Sequence, residues 1–149
     1  MWSKAQKFGY EKHSNQWYGD QPYYHHLRNV FDTYKQINTT VDYWKDHKLG
    51  LQLCWLHDTL EDCGDVTIGS LLEEGFSKEL VEAIDAISKR EGETKGEYLV
   101  RCSFNKVAWR VKVADTLSNL TESVKEGNIR RINLYSKQLY KLYLLGGEG

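Results

Sequence analysis

One short stretch, residues 53–62, concentrates side chains that could hold a metal ion. It reads Leu-Cys-Trp-Leu-His-Asp-Thr-Leu-Glu-Asp and passes from apolar to acidic residues. Within one helix, His57 lies a turn before Glu61 and Asp58 a turn before Asp62, so each pair projects from one face. Carboxylates crowded beside an apolar surface repel one another and are costly to desolvate. A divalent cation would offset both costs, and the stretch therefore predicts a metal site. The alternative is a solvated acidic helix face.

Four leucines beside this stretch indicate the helix that would position it. Leu49, Leu53, Leu56 and Leu60 recur at spacings of four, three and four residues. These spacings place them on one face of a helix that we predict over about 48–63. We expect that face to be buried and the acidic side chains to lie at its edge.

The same helical periodicity extends along most of the chain, and no segment shows the alternation typical of a strand. We predict helices over 3–15, 22–37, 48–63, 68–74, 105–122 and 129–145, two more that begin after Ser77 and Thr94, and a short helix or turn over 41–46. The sequence therefore predicts an all-α protein, a compact single-domain bundle of six to eight helices. The domain is expected over 1–145, with a flexible tail over 146–149.

Length, charge and cysteine content exclude several classes of protein. The chain has 149 residues, which suits one domain, and a formal net charge of −1. A net charge this close to zero does not indicate general binding to nucleic acids or to membrane surfaces. Three cysteines without a Cys-x-x-Cys pair indicate neither a disulfide framework nor a thiolate zinc site. Because we find no secretory signal and no apolar run of about 20 residues, we expect a cytoplasmic protein. The oligomeric state stays open, a homo-oligomer included.

Further candidate ligands lie far from the acidic stretch in the sequence. His25 and His26 follow an aromatic loop at the start of the second predicted helix. Asp115 interrupts an apolar run in a later helix, and an aspartate in such surroundings needs a partner. That partner could be a metal ion, or it could be Lys112 or Arg110 on the same helix. Either histidine could equally be an ordinary surface residue.

Several aromatic residues lie outside the apolar stripes of the predicted helices. These residues are Trp17, Tyr18, Tyr23 and Tyr24, and all belong to the loop or the helix start before His25. Aromatic rings that are not needed for a helix face are candidates for lining a pocket.

Three blocks of this sequence together resemble the HD-domain metal-dependent phosphohydrolases. The resemblance is closer to the hydrolase domain of RelA/SpoT-type alarmone enzymes and their small stand-alone relatives, and it covers about residues 5–122. The blocks are Phe8-Gly9, His13, Gln16 and Pro22-Tyr23-Tyr24-His25-His26, then Leu56 to Asp62, then Val111 to Leu120. In the relatives the first block begins with Phe-Ala, and the register from Pro22-Tyr23 selects His26 as the equivalent of their histidine ligand.

The resemblance implies a single metal ion and a pair of acidic catalytic residues. The implied metal ligands are His26, His57, Asp58 and Asp115. The implied metal is Mn²⁺, although two imidazoles and two carboxylates also suit Fe²⁺, Co²⁺ or Zn²⁺. Glu61 and Asp62 match the residues that handle the attacking water, by orienting and deprotonating it or by protonating the leaving oxygen.

The resemblance also implies a nucleotide substrate, with a metal-activated water hydrolysing the 3′-pyrophosphate of a guanosine tetra- or pentaphosphate-like molecule. Asn119 matches an asparagine that contacts the nucleotide sugar, and Lys112 matches a lysine that could neutralise a phosphate. Trp17 could stack on the base, and Tyr98, like Lys89 and Arg90, lies in a segment expected to border the pocket.

Two residues depart from the pattern of the alarmone hydrolases. Trp17 follows Gln16 where the relatives often carry an arginine, and an indole offers no guanidinium fork. Glu122 stands where they tend to have threonine, and it would repel a phosphate unless it turned away. These departures support an alternative, a nucleotidase or triphosphohydrolase acting on other (deoxy)nucleotides. A non-catalytic nucleotide-binding module is a further alternative, against which the presence of both Glu61 and Asp62 argues.

Overall fold

Helices make up most of the chain that the structure, a computed structural model, describes: residues 3–39 and 44–146. They are α1 Ser3–Lys12, α2 Tyr24–Ile37, α3 Trp44–Leu56, α4 Thr59–Asp62, α5 Ile68–Glu73, α6 Lys78–Ile87, α7 Lys95–Ser103, α8 Lys106–Glu126 and α9 Ile129–Gly146. A short hairpin, β1 Trp17–Tyr18 and β2 Gln21–Pro22, joins α1 to α2. Within these described ranges there are eight helices in addition to the single turn of α4, which confirms the predicted all-α single-domain bundle.

The core of the bundle surrounds α8, which packs against α2, α3, α6, α7 and α9. Leu49, Leu53 and Leu56 of α3 are buried as their spacing predicts, and Leu60 is half-buried against the same core. Burial of each large aliphatic side chain contributes about 1.5–3 kcal/mol. This apolar packing therefore fixes where α2, α3 and α8 approach one another.

Side-chain caps begin several helices where the sequence predicts a start. The hydroxyls of Ser77 and Thr94 accept hydrogen bonds from the backbone N–H of the third residue of α6 and of α7, respectively. Asn105 caps α8 in the same way, and Gly127 ends α8 with a left-handed backbone conformation. Thr94 and Glu97 form a complete capping box.

The acidic stretch does not lie in one continuous helix, so the prediction of a single helix over 48–63 is wrong. Helix α3 ends at Leu56, and α4 begins at Thr59. At the interruption, the Thr59 hydroxyl donates to the Leu56 carbonyl at 2.8 Å, and His57 Nδ1 lies 2.8 Å from the Cys54 carbonyl. Both bonds reach a carbonyl three residues back, where they compete with the helical hydrogen bonds and accompany the break. Asp62 N–H still donates to the Asp58 carbonyl, so the two residues remain one turn apart.

Two predicted boundaries fall partly outside the described residues. Of the short helix or turn predicted over 41–46, residues 41–43 lie outside them, and α3 has already begun at Trp44. Of the tail predicted over 146–149, Gly146 is the last residue of α9, and 147–149 lie outside them. Within the described ranges, no helix has the length and apolar character needed to cross a membrane.

Replacing Gly9 by alanine is expected to destabilise the protein by about 1–3 kcal/mol, because a Cβ at Gly9 would overlap the Trp55 carbonyl oxygen where α1 crosses α3. Chemical denaturation measures the effect. Gly69→Ala is the control, because Gly69 is an exposed residue of α5 where an added Cβ would lie 3.8 Å from Thr67 Oγ1, an ordinary contact distance. This change should be neutral or stabilise the protein by up to about 1 kcal/mol. Equal denaturation midpoints for Gly9→Ala and Gly69→Ala would contradict the prediction.

Candidate metal centre

Four side chains from three separate parts of the chain meet at one place in the bundle. His26 comes from the first turn of α2, His57 and Asp58 from the interruption between α3 and α4, and Asp115 from the middle of α8. His26 Nε2 lies 3.0 Å from Asp115 Oδ1 and 3.7 Å from Asp58 Oδ2. His57 Nε2 lies 3.0 Å from Asp58 Oδ2 and 3.5 Å from Asp115 Oδ1. We refer to these four residues as the His–Asp centre.

The surroundings of His57 show that the His–Asp centre fits a cation. The Cys54 carbonyl beside Nδ1 can only accept a hydrogen bond, so Nδ1 carries a proton and Nε2 faces the carboxylates of Asp58 and Asp115. That Nε2 is buried and has no hydrogen-bond partner in the described part of the chain. Burial opposes a charged imidazole, but Asp58 and Asp115 outweigh it and raise the pKa of His57 well above its usual value. The two carboxylates therefore favour a positive charge beside Nε2, which either a proton or a metal ion can supply. Ligand atoms of His26, His57 and Asp58 all lie within 4.8 Å of one another, as one ion requires.

The charges of the His–Asp centre keep its carboxylates ionised. Burial opposes the charged form of Asp58, but the neighbouring His57 outweighs it and holds the pKa of Asp58 below its usual value. Burial likewise opposes the charge of Asp115, but Lys112, His26 and His57 hold the pKa of Asp115 well below its usual value. Both carboxylates are therefore available as ligands at neutral pH.

Asp115 divides its two oxygens between Lys112 and the imidazoles. Lys112 Nζ lies 3.1 Å from Asp115 Oδ2, so the ion pair that the sequence offered as an alternative is present. This pair leaves Oδ1 facing His26 and His57, and Asn119 Nδ2 also donates to Oδ1 at 3.2 Å. The ion pair with Lys112 and a role as a metal ligand are therefore compatible.

Tyr98 is buried, and its ring contacts the ammonium group of Lys112. Lys112 Nζ lies over the Tyr98 ring at 5.3 Å from its centroid, a distance suited to a cation–π contact. The Tyr98 hydroxyl donates to the Ile87 carbonyl. In this arrangement the ring of Tyr98 orients Lys112, while its hydroxyl is already engaged within the protein.

Glu61 and Asp62 lie at the solvent-facing rim beside the His–Asp centre. Glu61 accepts a hydrogen bond from the backbone N–H of Lys89, which fixes its side chain. Partial burial raises the pKa of Glu61, and the backbone bond only partly opposes this effect. Partial burial and the nearby charge of Asp58 both raise the pKa of Asp62. Raised carboxylate pKa values favour proton transfer near neutral pH.

Tyr18, rather than Trp17, is the residue of the hairpin that contacts the His–Asp centre. Its ring stacks on the ring of His26 at 4.6 Å with an interplanar angle of 5°, and its hydroxyl donates to Asn119 Oδ1. Adjacent residues of a strand point to opposite faces, and Trp17 is 66% exposed. Burial raises the pKa of Tyr18 to about 12, so its hydroxyl keeps its proton and remains a donor. The sequence marked Tyr18 only as one of several aromatic candidates.

Arg131 is a second residue near the site that the sequence reasoning did not select. Its Nη2 lies 3.5 Å from the Tyr18 hydroxyl, although Arg131 belongs to α9, beyond the motif-bearing region. A surface cavity of about 520 Å³ along the start of α9 is lined by Arg131 together with Arg130 and Lys137. Nothing in the local sequence of α9 signals this proximity, because it depends on how α9 packs on α8.

Comparison with known proteins adds no identification to this geometry. No family model matches the chain, and no curated protein matches it. The likeness to the HD-domain hydrolases therefore depends on the three short sequence blocks, and the activity that they imply is a proposal.

Proposed function

We propose that this protein is a phosphohydrolase that depends on a divalent metal ion, for which Mn²⁺ is the first candidate. The observation that carries the proposal is the convergence of His26, His57, Asp58 and Asp115, in which the buried Nε2 of His57 faces carboxylate oxygens of both aspartates. Two imidazoles and two ionised carboxylates are a donor set that such metals accept.

The residues around the His–Asp centre suit hydrolysis of a phosphate ester. A divalent ion held there would lower the pKa of a water molecule and polarise a phosphoryl oxygen. Glu61, oriented by the Lys89 backbone and raised in pKa, would accept the proton of the attacking water. Asp62 would return a proton to the leaving oxygen, and Lys112 would neutralise charge on the phosphoryl group.

For the substrate, we propose a guanosine nucleotide that carries a pyrophosphate on its 3′ oxygen. The resemblance supports this choice. Arg131, whose Nη2 lies 3.5 Å from the Tyr18 hydroxyl, also supports it, because guanidinium groups bind phosphate in paired hydrogen bonds. Glu122, which would repel phosphate, lies 3.5 Å from Lys125 and lines a separate groove between α2 and α8. Its side chain therefore turns away from the centre.

One contact favours a second candidate, hydrolysis of ordinary (deoxy)nucleotides. The Tyr18 hydroxyl bonds the side-chain oxygen of Asn119, the residue to which the resemblance assigns a contact with the nucleotide sugar. Because its side-chain oxygen already accepts this bond, Asn119 has less capacity to hydrogen-bond a ribose hydroxyl. The preference between ribose and deoxyribose would therefore differ from that of the alarmone hydrolases.

A reducing compartment such as the cytoplasm suits the proposed enzyme. Cys54, Cys63 and Cys102 are all free and buried in the described structure. Disulfides are rare in the cytoplasm, and buried thiols of this kind pack as small apolar groups.

Turnover of a nucleotide panel tests the proposal. Purified protein is stripped with a chelator, reloaded with Mn²⁺, and offered guanosine tetraphosphate, GTP and the deoxynucleoside triphosphates. We expect release of pyrophosphate from guanosine tetraphosphate with Mn²⁺ and none after chelation. Release of phosphate, pyrophosphate or triphosphate from the other nucleotides alone would identify the second candidate. A protein that binds Mn²⁺ but turns over none of them would contradict the proposed activity.

A further inference from the structure

Tyr23 connects one residue of the His–Asp centre to one residue of the proposed catalytic pair. Its hydroxyl donates to Asp58 Oδ2, and the same hydroxyl oxygen lies 3.4 Å from Asp62 Oδ2. Asp58 Oδ2 is also the carboxylate oxygen that faces His57 Nε2 at 3.0 Å. One phenolic group therefore touches both the oxygen that would bind the metal and the carboxylate that would serve the reaction.

The position of Tyr23 is itself fixed by contacts with the first sequence block. Its ring stacks on His13 at 4.6 Å and meets the His26 ring edge-on at 5.5 Å. Its backbone N–H donates to the Gln16 carbonyl at 3.0 Å. A side chain held on two faces and at its backbone has little freedom to rotate, so its hydroxyl is a pre-oriented donor.

Gln16, oriented by His13, makes a second contact with residues 58–62. Gln16 Nε2 donates to the Asp62 carbonyl at 3.0 Å, and Gln16 Oε1 lies 2.6 Å from His13 Nδ1. The loop before α2 therefore contacts residues 58–62 at the backbone carbonyl of Asp62 and at the carboxylates of Asp58 and Asp62. Among the described contacts of this loop, those of Tyr23 are the ones that reach the carboxylates of Asp58 and Asp62.

From this geometry we infer that Tyr23 is a positioning residue that sets the orientation of Asp58 toward the metal and of Asp62 toward the reacting water. The inference rests on the proposed function and deepens it. Carboxylate ligands of metals are held by hydrogen bonds from neighbouring groups, and loss of such a partner typically lowers metal affinity or activity by about 10–100-fold. Without the hydroxyl, Asp58 and Asp62 can rotate independently, although every proposed ligand is still present.

Tyr23→Phe tests the inference because it removes one oxygen atom and leaves the stacked ring in place. We expect the dissociation constant for Mn²⁺, measured by calorimetry, to rise by about tenfold or more. We also expect kcat to fall while KM changes little, since Tyr23 would act on the reacting groups rather than on substrate binding. Circular dichroism should show an unchanged helical spectrum.

The matched control is Tyr34→Phe, in α2, the helix that begins immediately after Tyr23. Tyr34 is fully buried, and its hydroxyl has no hydrogen-bond partner in the described part of the protein. This control should bind Mn²⁺ and turn over substrate like the unsubstituted protein. Equal Mn²⁺ affinity and equal kcat in the two variants would overturn the inference, as would equal losses in both. Failure of the unsubstituted protein to bind Mn²⁺ would instead contradict the proposed function on which the inference rests.

Discussion

Replacing Asp58 by asparagine is expected to abolish Mn²⁺ binding and to lower hydrolysis by about 10³-fold or more. Asparagine keeps the size of the side chain but removes the negative charge of Oδ2, the oxygen 3.0 Å from His57 Nε2. Metal catalysis contributes several kcal/mol of transition-state stabilisation, and a 10³-fold loss corresponds to about 4 kcal/mol. The same substitution should therefore remove both the ligand and the catalysis.

Thermal unfolding with and without Mn²⁺ measures the binding part of this prediction. An ion at 100 times its dissociation constant stabilises the folded state by about 2.7 kcal/mol. The unsubstituted protein should show this stabilisation, and Asp58→Asn should show none. Asp32→Asn is the control, because Asp32 lies on the exposed side of α2 and pairs only loosely with Lys35 at 3.7 Å. An undiminished Mn²⁺ response in Asp58→Asn would contradict the assignment of the centre.

Glu61→Gln is expected to lower kcat by about 10²–10⁴-fold while leaving Mn²⁺ affinity nearly unchanged, because general-base catalysis contributes that much and Glu61 is not one of the four proposed ligands. The glutamine amide oxygen can still accept the Lys89 N–H, so the loop should stay in place. Turnover and calorimetry on the same preparation measure both effects. Glu73→Gln, on exposed α5, is the control.

The pH profile of Glu61→Gln adds a second readout. A general base must be deprotonated, and partial burial raises the pKa of Glu61. Activity of the unsubstituted protein should therefore fall on the acid side at a higher pH than an ordinary glutamate would give, and this limb should disappear in Glu61→Gln. Full turnover by Glu61→Gln would exclude Glu61 as the base. Mn²⁺ binding without turnover in either protein would favour the non-catalytic nucleotide-binding module.

Local features of the fold were predictable because their causes lie within a few residues. The buried faces of Leu49, Leu53 and Leu56 follow from helical spacing alone. The starts of α6 and α7 follow from the hydroxyls of Ser77 and Thr94, which bond N–H groups of their own first turns. The break at residues 57–58 was missed, although the side-chain hydrogen bonds that accompany it are also local, because the pattern of leucines continues across it.

By itself, the sequence determined the all-α class, the helix faces and the residue types from which a metal centre could be built, since these depend on periodicity and composition. The tertiary structure alone decided that Tyr18 rather than Trp17 covers His26, and that Asp115 turns one oxygen to Lys112 and the other to the imidazoles. It also decided that Arg131 lies beside Tyr18. These contacts join residues up to 113 positions apart. They depend on the angles and offsets at which α2, α8 and α9 pack, which no short-range pattern specifies.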